Sequence, residues 1–212
     1  MTLYPLFLKL DGQRCLVVGA GNLGVQKASG LLDAGAVVDV VAPDISDGMH
    51  ELAAQHDALH LHQRPFVDDD CAGATIVFSA TAAPDVDAQV YAAGKSAGAL
   101  VNVVDVKAQC DFYCGAQVRR GPVQLVIGTG GAAPAIARWL RLFFDDKLPP
   151  ALGPLASAMG RLREDVLRRH PDFTARARLL STFVHDVLAQ HPDDDDDASH
   201  EQRIRSQLIG DA

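Results

Sequence analysis

The feature that most constrains this chain is a glycine-rich turn, Gly19-Ala20-Gly21-Asn22-Leu23-Gly24, set between an apolar strand (residues 15–18) and a helical pattern. In a G-x-G-x-x-G at this position, the first glycine permits a tight turn and the second lets the backbone approach a pyrophosphate. The third lets the helix pack on the strand. The helix, which is expected to turn Leu23 inward, offers its free N–H groups to the ligand's negative charge. The turn therefore predicts a bound dinucleotide; the alternative is a purely structural glycine turn.

A second apolar run, residues 37–42, is followed by Pro43 and Asp44, and Asp44 lies twenty residues after Gly24. A carboxylate at this spacing can bind a ribose hydroxyl, and it favours NAD over NADP because it repels the extra phosphate. The predicted cofactor-binding residues are Gly19, Gly21, Asn22, Leu23, Gly24, Pro43, Asp44, Thr81 and Val103.

Three further apolar runs, residues 59–63, 74–79 and 100–104, alternate with helical stretches, one of them over residues 85–97. Nearly continuous apolar runs are typical of strands buried on both faces of a parallel sheet. This α/β pattern predicts a Rossmann-like, doubly wound parallel sheet over residues 1–112. Ligands bind at the carboxyl ends of such strands. The glycine turn, residues 79–81 and residues 102–105 should therefore surround one crevice.

The pattern changes after residue 111. A hairpin (residues 112–118 and 123–127) and a helix (135–144) predict a small α+β region over residues 113–148. Helical periodicity over 152–170 and 173–191, with a short amphipathic segment at 200–209, predicts a helical C-terminal domain over residues 149–212. The five aspartates at 193–197 are expected to form a solvated loop; metal binding is the alternative.

Composition narrows the function classes. A net charge of −8 argues against general nucleic-acid binding, and no apolar run is long enough to span a membrane. The apolar N-terminus has no basic segment typical of a signal peptide. Four cysteines without a paired CxxC pattern indicate reduced thiols and a cytoplasmic location, and no metal site is predicted at Cys110 and Cys114. The histidines are expected to be surface or structural residues.

The order of short motifs along the chain adds a resemblance. The motifs are Tyr4-Pro5-Leu6-Phe7, Lys27-Ala28 after the glycine turn, Val41-Ala42-Pro43-Asp44, Ala80-Thr81, Asn102-Val103-Val104-Asp105, Cys110-Asp111-Phe112, Arg120-Gly121, and Thr129-Gly130-Gly131 followed by Pro134-Ala135 and Ala137-Arg138. Over about residues 3–185 the chain resembles the precorrin-2 dehydrogenase/sirohydrochlorin ferrochelatase family, the dehydrogenase part of siroheme synthases. The resemblance implies NAD-dependent oxidation of precorrin-2 to sirohydrochlorin, in some members followed by insertion of ferrous ion. It also implies a homodimer, with residues 113–148 as the dimerisation region.

Asp105 is the predicted catalytic residue, because it follows the strand at 100–104 at the mouth of the crevice. Dehydrogenation of a reduced tetrapyrrole removes a hydride and a proton, so one general base beside the nicotinamide is sufficient. The alternative is a carboxylate that only caps the turn after the strand.

A polyacidic tetrapyrrole requires positive charge, and residues 117–147 carry five basic and two acidic side chains. The predicted substrate-binding residues are Arg120, Thr129, Gly130, Arg138 and Arg141. The two arginines three apart on one helix can face the same way, and guanidinium groups suit carboxylates. An ordinary solvated helix face is the alternative.

Two other function classes remain open. A regulatory NAD-binding module without catalysis would also use the glycine turn and Asp44, but needs neither a base at Asp105 nor a basic second region. A methyltransferase-like fold would also bind its cofactor at a glycine turn, although the full motif with Asp44 suits a dinucleotide better.

Overall fold

The computed structural model describes residues 3–210, and the chain divides into two compact units with the boundary between Tyr113 and Cys114. The predicted segments 113–148 and 149–212 therefore fall almost entirely within the second unit. None of the helices between residues 3 and 210 has the length and apolar character needed to cross a membrane.

The first unit is built on a five-stranded parallel sheet in the order β3-β2-β1-β4-β5. Its strands are β1 (Arg14–Ala20), β2 (Val37–Ile45), β3 (Leu59–Gln63), β4 (Ile76–Ser79) and β5 (Leu100–Val103). Its helices are α1 (Asn22–Leu32), α2 (Asp47–Gln55) and α3 (Pro84–Ser96). The predicted doubly wound α/β sheet is confirmed.

The central strand β1 shows why the sheet needs cover on both faces. Cys15 and Val17 belong to one buried cluster, whereas Leu16 and Val18 belong to another. Because successive side chains of a strand point to opposite faces, these two clusters lie on opposite faces of the sheet. The continuous apolar run in β1 is thus explained by burial on both sides.

Helix α1 corrects one expectation. Leu23 does not point inward; its side chain is 48 % exposed. The buried residues of α1 are Gly24, Ala28 and Leu31, which follow a four- and three-residue spacing. Leu23 precedes this stripe by one residue and therefore lies beside it, in the first turn of the helix.

The outer edge of β5 is paired with residues 110–112, of which the sequence pattern assigned only Phe112 to the hairpin. Asn102 forms an antiparallel bridge with Cys110, and the Asp111 N–H donates to the Val101 carbonyl at 2.8 Å. The Asn102 side-chain amide also donates to the Phe112 carbonyl at 2.7 Å. The predicted hairpin is present, but its first strand begins at Ala116 rather than at residue 112, because Phe112 is engaged at the edge of β5.

The second unit begins with the hairpin of β6 (Ala116–Arg120) and β7 (Val123–Ile127), which are antiparallel. Its helices are α4 (Pro134–Lys147), α5 (Leu152–Arg161), α6 (Arg163–Arg169), α7 (Phe173–Gln190) and α8 (Asp197–Ile204), with a π-helical turn at Arg205–Ile209. The predicted helix over 152–170 is divided at Leu162, whose backbone leaves the helical region (φ −94°, ψ 8°). Leu155, Phe183 and Ile204 are core residues of this unit.

The acidic run before α8 is not simply solvated. The Asp196 carboxylate accepts the backbone N–H groups of Ala198 and Ser199 at 3.1 and 3.0 Å, which caps the helix. Asp194 accepts hydrogen bonds from the Ser199 hydroxyl and from Arg203 Nη1. These bonds hold the pKa of Asp194 far below its usual range. Two carboxylates of the run therefore fix the start of α8.

Candidate active site

The three segments expected at the crevice are joined by backbone hydrogen bonds at the carboxyl edge of the sheet. The Ala80 N–H donates to the Val18 carbonyl at 2.8 Å, and the Val104 N–H donates to the Ser79 carbonyl at 2.9 Å. These bonds continue the pairing of β1 with β4 and of β4 with β5. In the strand order, β1 and β4 flank the point where the chain changes direction across the sheet, which is where open α/β folds bind ligands.

Each glycine of the turn has the environment that its place in the motif requires. Gly19 has φ +104°, and a Cβ there would lie 2.5 Å from the Ala80 carbonyl oxygen. A Cβ on Gly24 would lie 2.1 Å from the carbonyl oxygen of Gly19. The helix and the strand are therefore too close at this point for any side chain larger than a hydrogen atom. A Cβ on Gly21 would meet nothing within 4 Å. The second glycine therefore faces open space, as an approaching pyrophosphate needs.

The start of α1 presents backbone N–H groups that no side chain caps. Gly21 precedes the helix, no side chain caps its first turn, and the first turn contains no acidic residue. The first N–H groups of a helix have no partner within the helix, and the helix dipole places positive charge there. Asn22 and Leu23 are exposed in this turn. The donors, the dipole and the space at Gly21 fit the pyrophosphate of a dinucleotide.

Pro43 and Asp44 lie beside this turn, at the end of β2. The strand extends three residues beyond the predicted run, and its Ile45 pairs with Ala20 after an irregularity in the register. Ser46 strengthens the junction, because its hydroxyl donates to the Ala20 carbonyl at 2.5 Å and accepts the Met49 N–H at 3.3 Å. Pro43 and Asp44 are exposed. The Asp44 carboxylate is therefore accessible at the edge where a ribose hydroxyl is expected.

Thr81 is tied to a buried carboxylate that sequence reasoning missed. Asp87, only 6 % exposed, accepts hydrogen bonds at Oδ1 from the Ser79 and Thr81 hydroxyls at 2.6 and 2.7 Å. Thr81 Oγ1 also accepts the Ala83 N–H at 3.1 Å. The hydroxyl of Thr81 thus orders the turn between β4 and α3.

Val103 occupies a different position from the other predicted cofactor residues. Its side chain is fully buried in the sheet core. Any contact of Val103 with a ligand would therefore be made by its backbone, whose carbonyl accepts the Val106 N–H at 3.2 Å.

Asp105 follows β5 in a backbone conformation that side chains rarely adopt. Its φ is +64°, and it is exposed. Among the non-glycine residues of the described chain, only Asp105 and Ala82 have positive φ, and Ala82 lies in the loop after the neighbouring strand β4. Left-handed backbone at such residues is costly and concentrates at functional sites; aspartate tolerates it better than most. The pattern favours a functional constraint on Asp105.

The carboxylate of Asp111 secures the edge of β5 behind this loop, and sequence reasoning did not single it out. It accepts the Val101 N–H at 2.9 Å and Lys95 Nζ at 2.8 Å. Burial acts to raise the pKa of the Asp111 carboxyl, but the hydrogen bonds from Lys95 and Val101 outweigh burial and lower it. Asp111 is therefore a charged anchor at neutral pH.

The predicted substrate residues all belong to the second unit. Arg120 is engaged by the end of α4, since it donates to the Asp145 carboxylate at 3.0 Å and to the Asp145 carbonyl at 2.6 Å. Thr129 and Gly130 lie in the loop before α4, where Gly130 has φ +60°.

Arg138 and Arg141 lie on α4 itself, and neither forms an ion pair with another described residue. Arg138 is exposed and Arg141 is half-buried. The same helix exposes large apolar side chains, including Trp139 at 61 %, whose ring stacks on Phe143. α4 therefore presents both cationic and apolar groups to its surroundings.

His62, His170 and His200 have structural partners within the protein. His62 Nε2 contacts the Asp39 carboxylate at 3.0 Å, and the fully buried His200 contacts the Asp194 carbonyl at 2.9 Å. Across residues 3–210, no three His, Cys, Asp or Glu side chains are grouped as a metal site would require.

Comparison with known proteins agrees with this geometry. Residues 6–116 match the family model described as "Putative NAD(P)-binding", and residues 151–208 match the "Sirohaem synthase dimerisation region". The second match covers the helices α5 to α8 rather than residues 113–148, for which the sequence analysis predicted dimerisation.

Relatives match almost the whole chain. A siroheme synthase of Pseudomonas putida is 35 % identical over 99 % of this chain and 45 % of its own length. Siroheme synthase 1 of Halorhodospira halophila is 39 % identical over 88 % of this chain and 39 % of its own length. The chain thus spans less than half the length of these relatives. A solved structure titled "SirC, precorrin-2 dehydrogenase" shares the fold, with a TM-score of 0.75 at 22 % identity over 95 % of this chain and 97 % of the other.

The fold, the glycine turn and the match over residues 6–116 define an NAD(P)-binding protein of the Rossmann type. More particularly, the chain belongs to the precorrin-2 dehydrogenase/sirohydrochlorin ferrochelatase family, which forms part of siroheme synthases.

Proposed function

We propose that this protein catalyses the NAD-dependent dehydrogenation of precorrin-2 to sirohydrochlorin. The observation that carries the proposal is the strained backbone of Asp105 at the end of β5, on the same sheet edge as the glycine turn. The family, and the printed names of the relatives and of the solved structure, support this chemistry. A regulatory nucleotide-binding module does not need a carboxylate on left-handed backbone at this edge, because it catalyses no proton transfer.

The choice of NAD rests on Asp44. Its exposed carboxylate at the end of β2 can accept a hydrogen bond from the ribose 2′-hydroxyl, and it repels a 2′-phosphate. The pyrophosphate is assigned to the N–H groups at the start of α1, beside Gly21. Thr81 and the backbone of Val103 complete the cofactor edge on β4 and β5. When bound, NAD supplies the acceptor for the hydride.

Asp105 acts as the general base. In the proposed reaction precorrin-2 loses a hydride and a proton and gains one double bond, and the proton goes to the Asp105 carboxylate. A positioned base contributes about 10²–10⁴-fold to such a step. The exposed carboxylate then returns the proton to solvent.

The carboxylates of the tetrapyrrole are assigned to the second unit. Arg138 and Arg141 make no ion pair with described residues, so their guanidinium groups can bind substrate carboxylates. Thr129 and Gly130 add backbone donors before α4. Arg120 has a supporting role in this proposal, because Asp145 already engages it.

We extend the proposal to ferrous ion as a second substrate, inserted into sirohydrochlorin to give siroheme. The same Asp105 carboxylate can accept the pyrrole protons that leave as the metal enters. Anaerobic incubation of the protein with sirohydrochlorin and ferrous or cobaltous ion tests this step. Metallation above the uncatalysed rate supports it, and a rate equal to the uncatalysed one restricts the protein to dehydrogenation.

The working form is proposed to be a homodimer in the cytoplasm. The match of residues 151–208 to a dimerisation region supports the dimer, and the exposed apolar face of α4 is consistent with a covered surface. None of the four cysteines, all of which lie in the described chain, forms a disulfide, in keeping with a reducing compartment. Sedimentation at micromolar concentration tests the dimer.

The dehydrogenase proposal is tested by anaerobic absorbance assay of precorrin-2 with NAD. Asp105→Asn removes the base but keeps a residue that tolerates left-handed backbone. We expect a fall in kcat of about 10²–10⁴-fold with the NAD dissociation constant unchanged. Asp57→Asn is the matched control, since Asp57 is exposed before β3 at the opposite edge of the sheet. Normal turnover by Asp105→Asn would show that the base is another residue.

A further inference from the structure

Asp105 lies in the loop of residues 104–109. The Cys110 thiol, which follows this loop, contacts backbone carbonyls near the start of the loop. Cys110 Sγ lies 3.2 Å from the Val103 carbonyl oxygen and 3.3 Å from the Val106 carbonyl oxygen, so the two acceptors share its single S–H donor. These two carbonyls belong to residues on either side of Asp105. The thiol therefore contacts the end of β5, two residues before Asp105, and the loop residue that follows Asp105.

Backbone hydrogen bonds also hold the loop. The Val106 N–H donates to the Val103 carbonyl at 3.2 Å, and the Gln109 N–H donates to the Val106 carbonyl at 2.9 Å. The same two carbonyls thus receive both the backbone and the thiol donors. Because Asp105 has φ +64°, its conformation depends on surroundings that prevent relaxation to a more common backbone geometry.

The edge of β5 has its own attachments, which separates the role of the thiol from simple pairing of the edge. Asp111 binds Val101 through both its backbone N–H and its carboxylate, and Asn102 binds the Phe112 carbonyl. These bonds anchor the chain beyond the loop. The Cys110 side chain, by contrast, contacts the two carbonyls that flank Asp105, so it acts on the loop itself.

We propose that Cys110 is a positioning residue for the reaction, because its thiol, by contacting the Val103 and Val106 carbonyls, holds the Asp105 backbone in its left-handed conformation and so places the carboxylate. The assignment of a catalytic effect rests on the proposed function, because Cys110 acts through Asp105. The thiol takes no covalent part in the reaction.

Three variants test the proposal. Cys110→Ala removes the donor, Cys110→Ser keeps a donor of similar size, and Cys114→Ala controls for loss of a nearby exposed cysteine. For Cys110→Ala we expect kcat to fall about fivefold or more, the rate equivalent of about one net hydrogen bond, with the NAD dissociation constant unchanged. Cys110→Ser should recover most of the lost kcat, and Cys114→Ala should match the wild type.

A double-mutant cycle distinguishes positioning from a general structural effect. If Cys110 acts through Asp105, Cys110→Ala should cause no further loss in the Asp105→Asn background. Equal losses in both backgrounds would overturn the proposal, and so would wild-type kcat in Cys110→Ala.

Amide hydrogen exchange decides the positioning claim without any activity. Residues 104–109 should exchange about tenfold faster in Cys110→Ala than in the wild type or Cys114→Ala. Unchanged exchange would contradict the proposal even in an active enzyme. A wild-type protein that does not oxidise precorrin-2 would instead end the proposed function, and exchange alone would then decide whether Cys110 holds the loop.

Discussion

A Cβ on Gly24 would stand 2.1 Å from the carbonyl oxygen of Gly19, a distance that no packed structure allows. Gly24→Ala must therefore separate α1 from β1, and we expect a loss of about 2–4 kcal/mol in the free energy of unfolding. Urea denaturation measures it. Gly30→Ala is the control on the same helix, because a Cβ there meets nothing within 4 Å. It should stabilise the protein by about 0.5–1 kcal/mol. Equal effects of the two changes would refute the close packing.

The second glycine should separate binding from folding. A methyl group at position 21 enters open space, so the free energy of unfolding of Gly21→Ala should lie within about 1 kcal/mol of the wild-type value. The same methyl group occupies the side of the turn where the pyrophosphate approaches. Calorimetric titration should show NAD affinity at least about tenfold weaker. Unchanged affinity would mean that the pyrophosphate lies elsewhere.

Asp44 should set the choice between the two dinucleotides. Asp44→Ser removes the carboxylate that binds the ribose and repels a 2′-phosphate. We expect weaker binding of NAD, tighter binding of NADP, and a change of about tenfold or more in their ratio. Asp57→Ser, at the opposite edge of the sheet, should leave the ratio unchanged. A constant ratio in Asp44→Ser would remove Asp44 from the ribose site.

The buried carboxylate of Asp87 should matter for both stability and the cofactor edge. Asp87→Ala leaves the fully buried Ser79 hydroxyl without the acceptor it contacts at 2.6 Å. Such a loss costs about 1–3 kcal/mol in the free energy of unfolding. Thr75→Val, which removes a hydroxyl bonded at the surface, is the control and should cost far less. Equal costs would mean that the cluster is not a structural centre of the turn after β4.

Acid sensitivity should arise in part from Asp70. Arg64 binds both oxygens of this carboxylate at 2.8 and 2.5 Å, and its hydrogen bonds lower the pKa of Asp70. Because the pKa of Asp70 is lower in the folded protein than in the unfolded chain, the ion pair stabilises the fold at pH values above the unfolded-state pKa of about 4. This stabilisation disappears as the pH falls through the folded-state pKa. The stability difference between the wild type and Asp70→Asn should therefore be full at neutral pH and shrink below about pH 4. A difference independent of pH would contradict the ion pair.

The sheet and the glycine turn were predictable because their signals are local. Apolar runs and the spacing of Gly19, Gly21 and Gly24 report backbone geometry within a few residues, and the alternation of strands and helices predicts a parallel sheet. The break at Leu162 escaped the same reasoning, since the periodicity of leucines and alanines continues across it. The prediction that Leu23 points inward was wrong because the buried face of α1 begins one residue later, at Gly24.

The supporting polar contacts were not predictable, because they join residues through side-chain geometry. Asp87 meets Ser79 and Thr81 across a turn, and Cys110 meets two backbone carbonyls. No local sequence pattern identifies these hydrogen-bond partners before the fold is known. Asp105, by contrast, was predicted from its place at the end of a strand, and its positive φ is a feature that the sequence does not reveal.

The most direct measurement follows both products of the reaction in one anaerobic sample. Purified protein is given precorrin-2 and NAD, and NADH and sirohydrochlorin are quantified together by absorbance. The account predicts that both accumulate in equal amounts with the wild type and Asp57→Asn, and that Asp105→Asn makes neither at a comparable rate. Sirohydrochlorin formed without NADH, or no product while NAD binds normally, would contradict it.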